Sequence, residues 1–210
     1  MRLIIIGCEY TGKSTLLNSL AQWGRKQGIH FHLDDHFTIP GEQHLGEEDK
    51  KAMVNLTPTL KERFQRFQVY YHIDVAQKNQ HIILVGFHIE EAIYGPLYYY
   101  PAHQVGYARE VEEKMPSDTI LILLTAAPEV IAKRMEENPH EYNVIKKEDI
   151  PMLLNRFSEE FNRSLMQKKF RLDTSNLTPE ELFEQFMSAV VNHLSTEELL
   201  RMLVRKMMER

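Results

Sequence analysis

A single cysteine among 210 residues cannot close an internal disulfide, so a packed core has to hold the chain, and a reducing cytoplasm is the expected compartment. No apolar run approaches the roughly 18 residues that a membrane helix needs. The apolar stretch at residues 3–6 is too short for a signal peptide and reads as a strand. Positive charge is also short. A formal net charge of -5 excludes a general nucleic-acid binder. No repeat, low-complexity block or linker divides the chain, so one domain is expected over residues 1–194, followed by an amphipathic helix at 195–210.

What is present is an alternation of short aliphatic strands and helical periodicity. Strands are expected over residues 2–6, 29–33, 81–85, 120–125 and 170–172. Helices are expected over 14–27, 57–79, 108–114, 128–137, 149–168 and 179–193. Gly28 suits the end of the first helix and Pro58 the first turn of the second. Ser195 with Glu198 three residues on is a capping-box pattern for the terminal helix. Residues 38–49 are polar and read as a loop. Short strands joined by crossover helices imply a parallel sheet covered on both faces. The expected fold is a three-layer α/β/α sandwich with about five parallel strands.

Residues 7–15 read GCEYTGKST and fit Gly-x-x-x-x-Gly-Lys-Ser/Thr without a gap, between an expected strand and an expected helix. Gly7 and Gly12 let the backbone turn so that consecutive N–H groups, through Tyr10, Thr11, Lys13, Ser14 and Thr15, form an anion-binding nest. The helix that follows adds its positive dipole end. Lys13 can reach the β- and γ-phosphates of ATP, and the Ser14 hydroxyl can ligate Mg²⁺. ATP and Mg²⁺ are therefore the expected cofactors, on a P-loop nucleoside triphosphate hydrolase fold. Cys8 inside the loop is either an oxidisable switch or a small residue whose N–H faces phosphate. The Asp-x-x-Gly and Asn-Lys-x-Asp motifs of GTP switches are missing, and so is the Ser-Gly-Gly signature of transporters. The chain is too short for a motor or helicase core. A small kinase remains.

Further stretches point the same way: the Asp34-Asp35 tip of the second strand, FQRFQVYYHID (64–74), FHIEEAIYGPLY (87–98), LILLTAAPEVIAKRM (121–135) and LDTSN (172–176). Together with the phosphate loop they make the chain, from residue 1 to about 190, similar to the thymidylate kinase-like and deoxynucleoside kinase-like branch of P-loop kinases. The resemblance implies transfer of the γ-phosphoryl group of ATP to a nucleoside or nucleoside monophosphate, with thymidylate or a deoxynucleoside favoured. A kinase for another metabolite and a nucleotide-binding regulator with little turnover are the alternatives. Asp34 or Asp35 would orient the acceptor hydroxyl, take its proton, or hold Mg²⁺ through water. Gln68 would read a base edge. Arg63, Glu91 and Tyr94 would belong to the acceptor side, and Asp173 and Ser175 to the adenine side. Arg134 would begin a lid over residues 136–148, where families of this kind use arginine to stabilise moving charge. This lid has no arginine, only Lys146 and Lys147. Phe64, Phe67 and Tyr71 recur at helical spacing and read as core in preference to a stacking platform. Partners would be small molecules, with no nucleic acid and no membrane. The terminal helix would pack on the domain or pair two copies as a homodimer. His30, His32 and His36 are the only histidine cluster, a weak zinc signal without a further ligand.

One departure stands out. Such kinases commonly end the third strand in Asp-Arg, and here those positions are Val85 and Gly86. Three readings are open: Glu90 or Glu91 supplies the carboxylate from the next turn, Asp34 or Asp35 acts alone, or the protein binds nucleotide without transferring phosphate.

Overall fold

A computed structural model describes residues 1–34, 38–39, 43–101, 103–141 and 143–200, with the backbone alone at 38, 39, 43 and 44. The central strand β1, Arg2–Ile6, has four of its five residues buried, as a strand covered on both faces requires. Around it run β2 (His32–Asp34), a small antiparallel hairpin of β3 (Thr38–Ile39) and β4 (Gln43–His44), β5 (Ile82–Val85), β6 (Thr119–Thr125) and β7 (Lys168–Asp173). The five longer strands form one parallel sheet in the order β2-β5-β1-β6-β7. The helices are α1 (Lys13–Lys26), α2 (Glu47–Val54), α3 (Pro58–Lys78), α4 (Phe87–Tyr94), α5 (Ala108–Lys114), α6 (Pro128–Glu137), α7 (Ile150–Arg163) and α8 (Pro179–Val190).

The pleat sorts successive residues onto opposite faces. Ile4, Ile6, Leu84, Leu121 and Leu123 pack with α3, α4, α5 and α7. Leu3, Ile5, Ile83, Ile122 and Leu124 pack with α1 and α8. The result is the expected three-layer sandwich, and each fully buried aliphatic side chain contributes roughly 1.5–3 kcal/mol. Pairing of Ile5 with Val85 and of Ile6 with Leu123 brings the ends of β1, β5 and β6 to one edge. Ligands of open α/β sheets bind at that edge.

The differences from expectation have local causes. β2 starts at His32, because the Ile29 N–H donates to the Gly24 carbonyl at 2.8 Å and residues 29–31 finish the end of α1. α7 stops at Arg163, where the Lys169 ammonium takes up the carbonyls of Phe161 at 3.0 Å and Ser164 at 2.8 Å. Lys168 and Lys169 pair instead with Ile120 and Leu121, which lengthens β7. α2, inside and beyond the expected loop, has no buried residue to mark it, only acids in its first turn that suit the helix dipole. Phe64, Phe67 and Tyr71 are not core: they are 36, 63 and 38% exposed, because Val69, His72, Ile73 and Ala76 form the face of α3 that meets the sheet.

The Ser195 capping box forms, with the Ser195 N–H on Glu198 at 2.8 Å and the Glu198 N–H on Ser195 Oγ at 3.2 Å. Glu198 also lies 3.4 Å from the Met1 ammonium, which ties the start of this helix to residue 1. The rest of the expected terminal helix lies outside the described residues, as do Asp35 and His36. Among the described residues no helix is long and apolar enough to cross a membrane. No group of three His, Cys, Asp or Glu side chains among them is arranged to hold a metal ion.

Candidate active site

The phosphate loop follows β1 and closes on the N-terminus of α1, with Gly12 as N-cap. A Cβ at Gly7 would lie 2.5 Å from the Leu124 carbonyl oxygen, so the loop can leave the sheet here only on a glycine. Three attachments set its shape. The Thr11 hydroxyl donates to the Cys8 carbonyl at 2.7 Å. Arg134 donates through Nη1 to the Tyr10 carbonyl at 3.1 Å and to Thr174 Oγ1 at 3.1 Å, and through Nη2 to the Thr174 carbonyl at 2.6 Å. The Tyr94 hydroxyl, fully buried beneath the loop, accepts the Glu9 N–H at 3.1 Å. Tyr10 is held at φ 63, a left-handed angle that a non-glycine residue adopts only where its surroundings fix it. Burial pushes the Cys8 thiol up to about 12, against the pull of Lys13. Cys8 is therefore a packing residue with no thiolate at neutral pH.

Lys13 folds back under the loop. Its ammonium donates to the Gly7 carbonyl at 2.6 Å and to Glu90 Oε1 at 2.5 Å. The two side chains are only 8 and 2% exposed. Burial alone would lower the Lys13 pKa, but the Glu9 and Glu90 carboxylates outweigh it and hold the lysine above its ordinary value. The carboxylate that meets Lys13 thus comes from the first turn of α4, one helical turn beyond the strand tip.

Two cavities open on either side of this pair. The first, of 390 Å³, is bounded by Tyr10, Thr15, Arg134, Thr174, Thr178 and Pro179. The second, of 380 Å³, is bounded by Lys61, Gln65, Val85, Glu90, Tyr98 and Tyr99. Glu9, Lys13, Ser14 and His140 line both. A small cleft of 30 Å³ continues from Gln65 and Val85 to Asp34, Gln68, His72 and Glu91. There His72 Nε2 is 3.3 Å from Asp34, and its Nδ1–H donates to the Gln68 carbonyl at 2.8 Å. Burial lowers the His72 pKa. The lid lies against the junction: the Tyr10 and His140 rings stack at 4.2 Å, and the His140 N–H donates to the Tyr10 hydroxyl at 3.0 Å.

No family model and no curated protein sequence matches the chain. Solved structures do. The YorR protein of Bacillus subtilis, in complex with phosphorylated GDP, is 18% identical with a TM-score of 0.60, over 92% of this chain and 99% of that one. Deoxyadenosine kinase from M. mycoides with bound dATP is 17% identical with a TM-score of 0.59, over 90 and 98%. Thymidylate kinase from Candida albicans is 14% identical with a TM-score of 0.56, over 92 and 93%. The chain has the fold of the nucleoside and nucleotide kinases. At these identities the likeness carries the fold, and the chemistry rests on the residues.

In this kinase fold most of the expected nucleotide-side residues converge. Tyr10, Gly12, Lys13, Ser14, Thr15 and Arg134 line the first cavity, while Gly7 and Thr11 lie beneath it. Asp34, Gln68 and Glu91 meet in the small cleft. Other placements differ from expectation. Tyr94 supports the loop from below, and Tyr98 and Tyr99, carried round by a wider π-helical turn at Gly95–Tyr99, reach the second cavity instead. Arg63 is exposed and sits over the Phe67 ring at 5.6 Å, outside both cavities. Asp173 and Ser175 close a turn on each other, with the Ser175 N–H on Asp173 Oδ1 at 2.9 Å, and Thr174 between them faces the cavity. Lys147 pairs with Glu136 and Lys146 is exposed, so the lid presents His140 to the junction. Glu9, Lys61, Gln65 and His140 were not foreseen. For two of them a signal existed: Lys61, Gln65, Gln68 and His72 recur at i, i+4, i+7 and i+11, a polar stripe on one face of α3.

Proposed function

We propose that the protein is an ATP-dependent kinase that moves the γ-phosphoryl group to a hydroxyl of a nucleoside or to the phosphate of a nucleoside monophosphate. The observation that supports this reading best is the meeting of two cavities of similar size over Lys13 and Ser14. One suits a nucleoside triphosphate, with its phosphates on the loop N–H groups and its base toward Thr174, Thr178 and Pro179. The other suits the acceptor, with Tyr98 and Tyr99 as flat walls and the Gln68 cleft at its end. Bound Mg²⁺ would neutralise phosphate charge, and the exposed Ser14 hydroxyl fits it, because magnesium keeps several waters and needs few protein ligands. Asp34 stands at the acceptor end, 3.3 Å from His72 Nε2, and is the described candidate for orienting a hydroxyl.

Charge separates the two acceptor classes. The described lining of the second cavity carries Glu9, Glu90 and Glu141 against Lys13 and Lys61. Arg63 and Arg66 are exposed, Arg66 pairing with Glu62. A monophosphate would bring further negative charge to an acid-rich wall, so an uncharged nucleoside is favoured. The test is ATP consumption with a panel of nucleosides and monophosphates, for the native chain and for Ser14→Ala, whose exposed side chain carries little of the fold. We expect turnover above the Ser14→Ala level with at least one nucleoside. Turnover no greater than that control with every acceptor, in a chain that binds ATP, would instead support a nucleotide-binding regulator. The replacement of Asp-Arg by Val85-Gly86 is the observation that keeps this second reading in play.

A further inference from the structure

We propose that Glu90 is the positioning carboxylate of the site, acting through Lys13, and that Gly86 carries no side chain because Glu90 occupies the place where one would begin; the role presupposes the phosphotransferase reading above. The chain leaves β5 through two consecutive left-handed residues, Gly86 at φ 78 and Phe87 at φ 52. That turn starts α4 directly at the strand tip and aims its first turn back under the phosphate loop. A Cβ built on Gly86 would lie 1.7 Å from Glu90 Oε2 and 2.7 Å from its carboxyl carbon. No other residue type fits at position 86 unless the carboxylate swings away. Swinging away would break the 2.5 Å bond to Lys13, and both groups are buried. A lone buried charge is far costlier than a paired one, so the ion pair and the bare backbone at Gly86 require each other.

The same geometry gives the pair a task. Lysine is a point charge on a flexible stem with three N–H donors. Two of those donors are used by the Gly7 carbonyl and Glu90. They fix where the ammonium stands while leaving one donor for a phosphate oxygen. Glu90 also borders the acceptor cavity, so it stands between the two substrates' sites. A group that sets the position of a charge, and contributes little net attraction for nucleotide itself, acts on the transition state more than on the ground state.

Two measurements test this. The first is a melting-temperature cycle of Gly86→Ala, Glu90→Ala and the double variant. Gly86→Ala should lower the melting temperature by on the order of 10 °C. Adding Glu90→Ala should return at least half of that loss, since the carboxylate that clashes is gone. Strictly additive losses would overturn the shared-space argument. The second compares binding with turnover in Glu90→Gln, which is isosteric and should keep the seat at Gly86. It should bind a non-hydrolysable ATP analogue at least as tightly as the native chain, because phosphate becomes the best partner of Lys13. Its kcat with the best acceptor should fall at least about tenfold, equal to ~1.4 kcal/mol of lost transition-state stabilisation. An unchanged kcat, or a loss of analogue affinity as large as the loss of kcat, would overturn the positioning role. If the native chain turns over no acceptor, the phosphotransferase reading falls and takes the positioning role with it, while the melting cycle still decides whether Glu90 fills the space at Gly86.

Discussion

Lys13→Ala, the usual way to disarm a phosphate loop, should here cost stability as well as nucleotide binding. The Lys13 ammonium has two partners in the folded chain, Glu90 at 2.5 Å and the Gly7 carbonyl at 2.6 Å. Its removal strands a carboxylate that is 2% exposed. Taking away one member of a buried ion pair costs about 3–5 kcal/mol, and the lost carbonyl bond adds about 1 kcal/mol. Protonation of Glu90 limits the damage, because a buried carboxylate without its cation gives up its charge before it unfolds the chain. The expected net loss is therefore about 3–5 kcal/mol at neutral pH. At roughly 2–4 °C per kcal/mol for a chain of this size, the melting temperature should fall by about 6–20 °C. The assay is thermal unfolding followed by circular dichroism, without nucleotide, for native, Lys13→Ala and Lys13→Ala/Glu90→Gln. The double variant removes the stranded charge and should recover at least half of the loss. A melting temperature for Lys13→Ala within about 2 °C of native, or no recovery in the double variant, would show that the pair does not carry the energy that its burial implies.

Two other perturbations probe the loop support and the core behind it. Tyr94→Phe removes the hydroxyl that accepts the Glu9 N–H, so it should cost about 1–3 kcal/mol in denaturant unfolding and weaken ATP-analogue binding by several-fold; an unchanged value of both would mean that the loop does not lean on Tyr94. His88 is fully buried 3.1 Å from Glu112, with Arg109 and Glu160 beyond, and burial lowers its pKa. The unfolded chain takes up a proton at His88 near pH 6.5 and the folded chain resists it, so this contribution to stability is intact above that pH and drains away below it, by up to about 1.4 kcal/mol per pH unit. Urea midpoints at pH 7 and pH 5.5 should show a smaller drop for His88→Asn than for native, and an equal drop would remove His88 from the acid response.

The sheet and the phosphate loop were legible because their signals are local. Residues 3–6 and 120–124 are aliphatic runs that only a doubly covered strand can bury, and the nine residues from Gly7 to Thr15 carry their chemistry in one contiguous stretch. Periodicity along α3 was also legible, but period alone says which residues share a face and not where that face points. Phe64, Phe67 and Tyr71 therefore turned out exposed, while the neighbouring polar stripe of Lys61, Gln65, Gln68 and His72 faces the site. In the aromatic tract the sequence supplied several tyrosines in a row without saying which one the wider turn at Gly95–Tyr99 would deliver to the cavity. Arginine and lysine are the lid residues whose charge marks them in a sequence, whereas His140 reaches the junction by stacking its ring on Tyr10, a contact that no local pattern announces. Glu90 and Lys13 are 77 residues apart, and nothing in their spacing predicts a 2.5 Å contact.

That contact changes the meaning of Val85-Gly86. An acid carried on the strand tip and an acid carried one helical turn later are two ways of putting a carboxylate near the lysine. The volume that the Glu90 carboxylate fills is where a side chain at position 86 would begin, so it is the arginine position of the expected pair that this arrangement excludes. The acid absent at Val85 has a counterpart in Glu90, which the next turn brings, buried, to Lys13. The arginine half of the expected pair has no such substitute. Among the described residues the cations bordering the second cavity are Lys13, which Glu90 and Gly7 already hold, and Lys61, whose ammonium donates to the Val54 carbonyl at 2.9 Å. A site that relocates its carboxylate but not its arginine keeps the charge that positions Lys13 and, with Lys13 and Lys61 already engaged, offers little to hold an acceptor phosphate. The loss of the pair then supports an uncharged acceptor more than it supports a dead enzyme.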